Sequence, residues 1–329
     1  MKKTLSLFAA IFCLSGCVQE ELESNQRSLI SFSSNDSDFT ETRPTSRAAT
    51  LTQSTITQYG VSCSYYPRSG TYESAGCGSY FFNLLVNASD GRTGYYWPGL
   101  DYNLSFFAYT PCGDAVQDRL QLTSTAEQHG MPEYHYEVPA STDDQLDFMT
   151  CNILDHEGIS RAPVPLAFSH KCTDVRFVCF NQSSEELLIK EIAILGMKYS
   201  GNLVNDSWQL EGAAGTYEEH PFLLTTATQL LSGETLDVTG TEDHFIVLPQ
   251  TVAEGTEIFQ IKTDETDSHG ETTERTYHYV LPSDFKFDGG KSYKFKINIG
   301  GTTMEIEEVS ISPWLDINFF EGDFIVVEP

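Results

Sequence analysis

Lys291-Ser292-Tyr293-Lys294-Phe295-Lys296-Ile297-Asn298-Ile299 decides the fold. From Tyr293 onward, Tyr293, Phe295, Ile297 and Ile299 fall on one parity, and Lys294, Lys296 and Asn298 on the other. Successive side chains leave opposite faces of a strand, whereas a helix repeats every 3.6 residues. The stretch therefore predicts an antiparallel strand with one face on a core and one in water. The same period recurs upstream. Val175, Phe177 and Cys179 alternate with Arg176, Val178 and Phe180, and Tyr277, Tyr279 and Leu281 alternate before Pro282. Ile192 and Ile194 share a face in a run that stops at Gly196.

The first half carries the same signals in aromatic form. Tyr80–Val86 runs into the turn cluster Asn87-Ala88-Ser89-Asp90-Gly91, and Tyr95-Tyr96-Trp97-Pro98 and Leu104–Tyr109 read as strands. Residues 182–190 fit one helical turn, but no long amphipathic helix stands out. Turn-separated strands and 24 glycines predict an all-β chain of two β-sandwich domains. Their boundary is expected near residue 160, where Asp155-His156-Glu157-Gly158 interrupts and Pro163 and Pro165 follow. No repeat of solenoid or propeller length is present.

Nineteen Lys and Arg against 47 Asp and Glu leave a net charge of −28 over 329 residues. Phosphate binding needs clustered cations, so nucleic acid is excluded as a partner, and so is adsorption to anionic lipid. The N-terminus supplies a different membrane attachment. Basic Met1-Lys2-Lys3, an apolar run from Leu5 to Leu14 and Leu14-Ser15-Gly16-Cys17 form a secretory signal with a lipobox. About ten apolar residues are too few to span a bilayer, which takes about 20. Residues 1–16 are thus expected to be removed and Cys17 lipidated, leaving an acidic tether at 18–27. Cys63, Cys77, Cys112, Cys151, Cys172 and Cys179 remain. Six cysteines in an oxidising compartment allow about 15 pairings. Cys63 with Cys77 is the most local, and Cys172 and Cys179, seven apart in one strand, should face opposite sides.

Chemistry-bearing motifs are scarce. His129 and His135 lack HExxH context, His170 reads as a packing or hydrogen-bonding residue, and no GxSxG, Walker loop or dinucleotide fingerprint occurs. No catalytic, cofactor-binding or metal-binding residue is assigned, and no cofactor is expected. Tyr95-Tyr96-Trp97 admits a sugar-stacking platform, with core packing as the favoured reading. A surface glycan-binding lipoprotein is therefore the alternative function.

Several passages, taken in order, resemble the fimbrillin family of type V pilins and their lipoprotein accessory subunits. They are Leu29-Ile30-Ser31-Phe32, Ser46-Arg47-Ala48, Tyr96-Trp97-Pro98, Leu104–Pro111 and Asp147-Phe148-Met149 in the first half. Val164–His170, Leu248-Pro249-Gln250, Gly290-Lys291-Ser292-Tyr293 and Ile311-Ser312-Pro313-Trp314 follow in the second. The resemblance implies two transthyretin-like, Greek-key sandwiches: an N-terminal domain at 56–160 and a C-terminal domain at 161–329, after a tether and removable first strand at 17–55. It also implies an outer-membrane lipoprotein, surface-exposed and bound for the fimbrium. A trypsin-like protease would cut it, and other fimbrial subunits would join it by strand exchange, with a host or bacterial surface receptor as a further partner.

In that scheme Arg47–Ala48 is the cleavage bond on an exposed polar stretch. Arg43 precedes a proline, and cutting at Arg27 would leave Leu29, Ile30 and Phe32 attached. The donor segment is the tail from Leu315 to Pro329, in which Phe320, Phe324 and Val326 share parity. Six cysteines distinguish the chain from a plain stalk pilin and favour a minor, tip or accessory subunit.

Overall fold

The computed structural model describes residues 28–33, 56–73, 77–128, 130–240, 243–300, 303–314 and the backbone of 317–319. Cys17, Arg47, Ala48, His129, Phe320, Phe324 and Val326 lie outside them. Among the described residues the structure is strand and loop, with one 3-10 turn at Thr142–Asp144.

Two apolar cores organise the strands. The first lies on a six-stranded sheet ordered Ile317–Phe319, Leu166–His170, Met149–Glu157, Tyr102–Thr110, Gln58–Pro67 and Gly78–Asn87. Its alternate residues, including Tyr59, Val61, Phe106, Ala108, Leu166 and Phe168, bury against a two-stranded piece formed by Leu29–Ser31 and Arg92–Tyr96. The second core lies between two sheets. One centres on Thr173–Asn181 and Lys291–Gly300, the other on Glu186–Ile194 and Glu257–Thr266. Phe177, Phe259 and Phe295 meet there with ring centroids 4.8–5.8 Å apart. Each such side chain contributes about 1.5–3 kcal/mol on burial.

Pairings also run between the two halves of the sequence. Leu166–His170 joins the first-core sheet, while Leu120–Leu122 and Tyr134–Glu137 form a small sheet with Ser200–Val204 and Ser207–Glu211. Tyr134, Tyr136 and Phe148 accordingly pack in the second core.

Three local expectations change. Lys291–Gly300 does bury Tyr293, Phe295, Ile297 and Ile299, but it is not antiparallel on both sides. It runs parallel to Thr173–Asn181, with Phe177 opposite Phe295, and antiparallel to Thr303–Pro313. Alternation fixes the buried face and is silent on the neighbour's direction.

Residues 182–190 hold no helical turn: 182–185 are loop, and Glu186–Ile194 is a strand. Leu187, Ile189, Ile192 and Ile194 break their period by one residue, and a register shift between Ile189 and Glu191 absorbs it in both neighbouring pairings. A bulge inserts one residue without ending the strand. Likewise Asp155-His156-Glu157 continues the strand Met149–Glu157 and does not interrupt it. Asp155 takes φ 54°, and its backbone N–H donates to Ser105 Oγ at 3.0 Å and to Tyr66 Oη at 3.2 Å.

Candidate strand-exchange site

The alternation of Leu29-Ile30-Ser31-Phe32 places Ile30 and Phe32, 0% and 1% exposed, in the first core and leaves Leu29 at the surface. Phe32 meets Phe106 edge-on at 5.4 Å and Tyr59 at 6.1 Å. The strand lies in a slot between Arg92–Tyr96 on one side and residues 160–164 on the other.

Main-chain bonds hold both walls. The Phe32 N–H donates to Gly91 O at 2.9 Å, and Trp97 N–H donates to Ser28 O at 3.1 Å. Opposite, Ser33 N–H donates to Val164 O at 3.0 Å and Val164 N–H donates to Ser31 O at 2.8 Å. Thr93 Oγ1 donates to Ile30 O, and Ser28 Oγ donates to Ser160 O, both at 2.8 Å. Gly91 makes the turn into the slot at φ +59°, and a Cβ there would stand 2.2 Å from Phe32 O. Only glycine fits this close approach.

Val164 begins the edge that the chain's other end uses. Both its N–H and C=O face the N-terminal strand, whereas Ala167 N–H turns inward to Cys151 Sγ at 3.3 Å. Residues of Val164's parity therefore face outward, and there Leu166 and Phe168 pair antiparallel with Phe319 and Ile317. The N-terminal and C-terminal strands thus lie end to end along one edge, and the register brings Phe319 to the Val164 end.

Trp314, just before that C-terminal strand, is held from several sides. Its N–H donates to Gly290 O at 2.9 Å. Its ring stacks on His170 at 4.0 Å and 7° and meets His244 edge-on at 6.1 Å. Each histidine contacts a carboxylate with both side chains fully buried: His170 Nδ1 to Asp147 Oδ1 at 2.7 Å, and His244 Nδ1 to Asp174 Oδ1 at 2.6 Å. Asp174 also accepts from Arg176 Nε at 2.7 Å and Ser292 Oγ at 2.5 Å. Burial alone would raise the Asp174 carboxyl, but His244, Arg176 and Ser292 outweigh it and hold it below the usual range.

The expected strand residues Leu29, Ile30 and Phe32 thus come together in the slot. Trp97 is core, 2% exposed and stacked on His156 at 5.0 Å, while Tyr95 and Tyr96 are exposed. Sequence reading missed Gly91, Thr93 and the paired carboxylates Asp147 and Asp174. Gly91 carried a signal as the last residue of a turn cluster; the carboxylates carried none.

The six described cysteines are free thiols. Burial pushes Cys151 up to about 11 and Cys112 and Cys179 up to about 12, and raises Cys63 and Cys172 well above the ordinary value. Among the described residues no three His, Cys, Asp or Glu side chains converge as a metal site, and no helix is long and apolar enough to cross a membrane.

The family model for fimbrillin-like proteins matches residues 80–314. The chain belongs to the fimbrillin-like family. Two solved structures share its fold. A fimbrial protein from Bacteroides vulgatus has a TM-score of 0.62 at 15% identity, over 78% of this chain and 93% of that one. A putative cell adhesion protein from Bacteroides ovatus has a TM-score of 0.51 at 15% identity, over 88% of this chain and 98% of the other. No curated protein sequence matches this fimbrillin-like chain.

Proposed function

We propose that this fimbrillin-like protein is a non-enzymatic subunit of cell-surface fimbriae that supports adhesion and assembles with other subunits by exchanging β-strands. The observation that carries the reading is the slot: a short N-terminal strand, held by main-chain bonds on both sides, shares one sheet edge with the C-terminal strand. In this scheme the precursor leaves the cytoplasm under the signal at 1–16 and is anchored to the outer membrane by lipid on Cys17. Each of the two cores belongs to one sandwich domain. A trypsin-like protease cuts Arg47–Ala48, and the strand containing Leu29, Ile30 and Phe32 leaves. A neighbour's tail then fills the slot with Phe320, Phe324 and Val326, which is β-strand addition.

Magnitudes favour the exchange. Ile30 and Phe32 bury about 3–6 kcal/mol gross, while three donor side chains would bury about 4–9, both before ordering costs. An unfilled slot would expose unpaired backbone groups and aromatic surface, so the vacant state is short-lived without a donor. The cysteine content favours a minor, tip or accessory position.

Treating purified precursor with trypsin tests the reading. A shortened chain beginning at Ala48, followed by a ladder of oligomers, is expected. A cut chain that stays monomeric at high concentration overturns the assembly claim.

A further inference from the structure

We propose that Arg161–Ala162 is a second site of arginine-directed proteolysis, and that hydrolysis there loosens the slot holding the N-terminal strand. The inference rests on the strand-exchange reading for its purpose, but not for the cut itself.

Ser160-Arg161-Ala162 repeats the tripeptide Ser46-Arg47-Ala48. Structure separates Arg161 from the other described arginines. Arg68 is paired with Glu157, Arg119 donates to the Asp144 and Ala115 carbonyls, Arg176 is paired with Asp174, and Arg275 with Glu265. Arg92 lies within a strand, opposite Ser31. Arg161 alone combines irregular backbone, an exposed side chain and a guanidinium without a hydrogen-bond or ion-pair partner among the described residues. A protease that reads arginine must take that guanidinium into a pocket and lay the flanking chain out in extended form. Ala162 and Pro163 are exposed too, and the residue before a proline is steered to extended conformations. The bond leads into alanine and so escapes the block that proline imposes. Two local restraints oppose cutting: Ser160 Oγ accepts from Ala162 N–H at 3.2 Å and donates to Ala162 O at 2.8 Å. Two exposed hydrogen bonds made by one hydroxyl, each worth about 0.5–1.5 kcal/mol net, are a small barrier.

The position gives the cut its consequence. Ser160, one residue before the bond, accepts from Ser28 Oγ, and Val164, two residues beyond Ala162, exchanges two main-chain bonds with Ser31 and Ser33. The wall beyond the N-terminal strand is thus one short loop with the scissile bond at its centre. Water adds across the amide. Arg161 leaves as a carboxylate, Ala162 becomes an ammonium, and the loop is divided into two free ends. Each end then gains conformational freedom that the closed loop denied it. Cleavage at Arg47 detaches the strand from its chain, and cleavage at Arg161 opens its seat.

The test uses the full chain and its Arg161→Gln and Arg47→Gln variants, incubated with an arginine-specific endopeptidase under native conditions. Intact mass and N-terminal sequencing read the cuts. The expected result is a fragment beginning at Ala162 from wild type and Arg47→Gln, and none from Arg161→Gln. Hydrogen exchange at Phe32 and Ser33 should speed up about tenfold in nicked Arg47→Gln, as for loss of one or two backbone bonds. Absence of an Ala162 terminus while Ala48 appears overturns the site, as does its appearance only after denaturant. Unchanged exchange in the nicked chain overturns the loosening. Oligomers from Arg47-cut Arg161→Gln as abundant as from wild type would keep the exchange reading and sink this one. Nicked chains with faster exchange and no oligomers would do the reverse.

Discussion

Truncating Phe32 to alanine tests the slot most directly. The ring is 1% exposed and packs between Phe106 and Tyr59, so its loss removes buried area and two aromatic contacts. Phenylalanine-to-alanine changes in cores cost about 3–5 kcal/mol. Together Ile30 and Phe32 supply about 3–6 kcal/mol of gross apolar grip, so this one substitution takes most of it. At about 1.4 kcal/mol per decade, local opening of the strand should rise at least a hundredfold. Native-state hydrogen exchange at residues 31–33 reads this, with Lys291–Gly300 amides as the internal control because they belong to the other core. Selective acceleration at 31–33, with the second core unchanged, is expected. Equal acceleration in both would mean that the strand is part of a single cooperative unit. Unchanged exchange at 31–33 would mean that Phe32 does not hold it, and the account of the slot would fail.

Other outcomes follow from the same geometry. Gly91→Ala forces a side chain to φ +59° and against Phe32 O, so it should cost at least about 1–3 kcal/mol and release the N-terminal strand first, measured by urea unfolding with exchange at Phe32. Asp174 has a folded pKa below its unfolded one, so the stability it contributes is full above the ordinary carboxylate value of about 3.9 and disappears as pH falls through the folded value. Melting points should hold from pH 7 to 5 and drop below about pH 4, with a shallower drop in Asp174→Asn; parallel curves would refute this. With its pKa near 11, Cys151 has about a thousandfold less thiolate than thiol at pH 8. Iodoacetamide should therefore leave it, Cys172 and Cys179 unmodified until urea is added, as read by peptide mass. Trp97→Ala should lower the melting point and leave migration in polysaccharide gels unchanged, because the ring is core; retardation of the wild type alone would revive the glycan alternative.

Period-two stretches made most of the sheet content legible. Tyr293–Ile299 and Val175–Cys179 bury the residues their parity indicates. One feature was hidden by a bulge: the extra residue at Asp155 made a continuing strand look like an interruption near the domain boundary. The parallel pairing of Phe177 with Phe295 was invisible because alternation carries no direction. At the site, Ile30 and Phe32 were readable as a strand, since their burial follows from their own spacing. Their partners were not. Gly91 and Val164 are about 60 and 130 positions away, and such contacts are set by tertiary closure and not by local pattern.

The seam at Trp314 bears on how the molecule would carry tension. Cys172, just before the strand Thr173–Asn181, accepts from Gly290 N–H, and Gly290 accepts from Trp314 N–H, just past the strand Thr303–Pro313. The two ends of the segment from Cys172 to Trp314 are therefore tied to each other by a two-rung bridge. A pull between Cys172 and Trp314 would travel across this bridge and the stacked Trp314–His170 pair. The strands between Cys172 and Trp314 would bear load along their length only after the bridge parted.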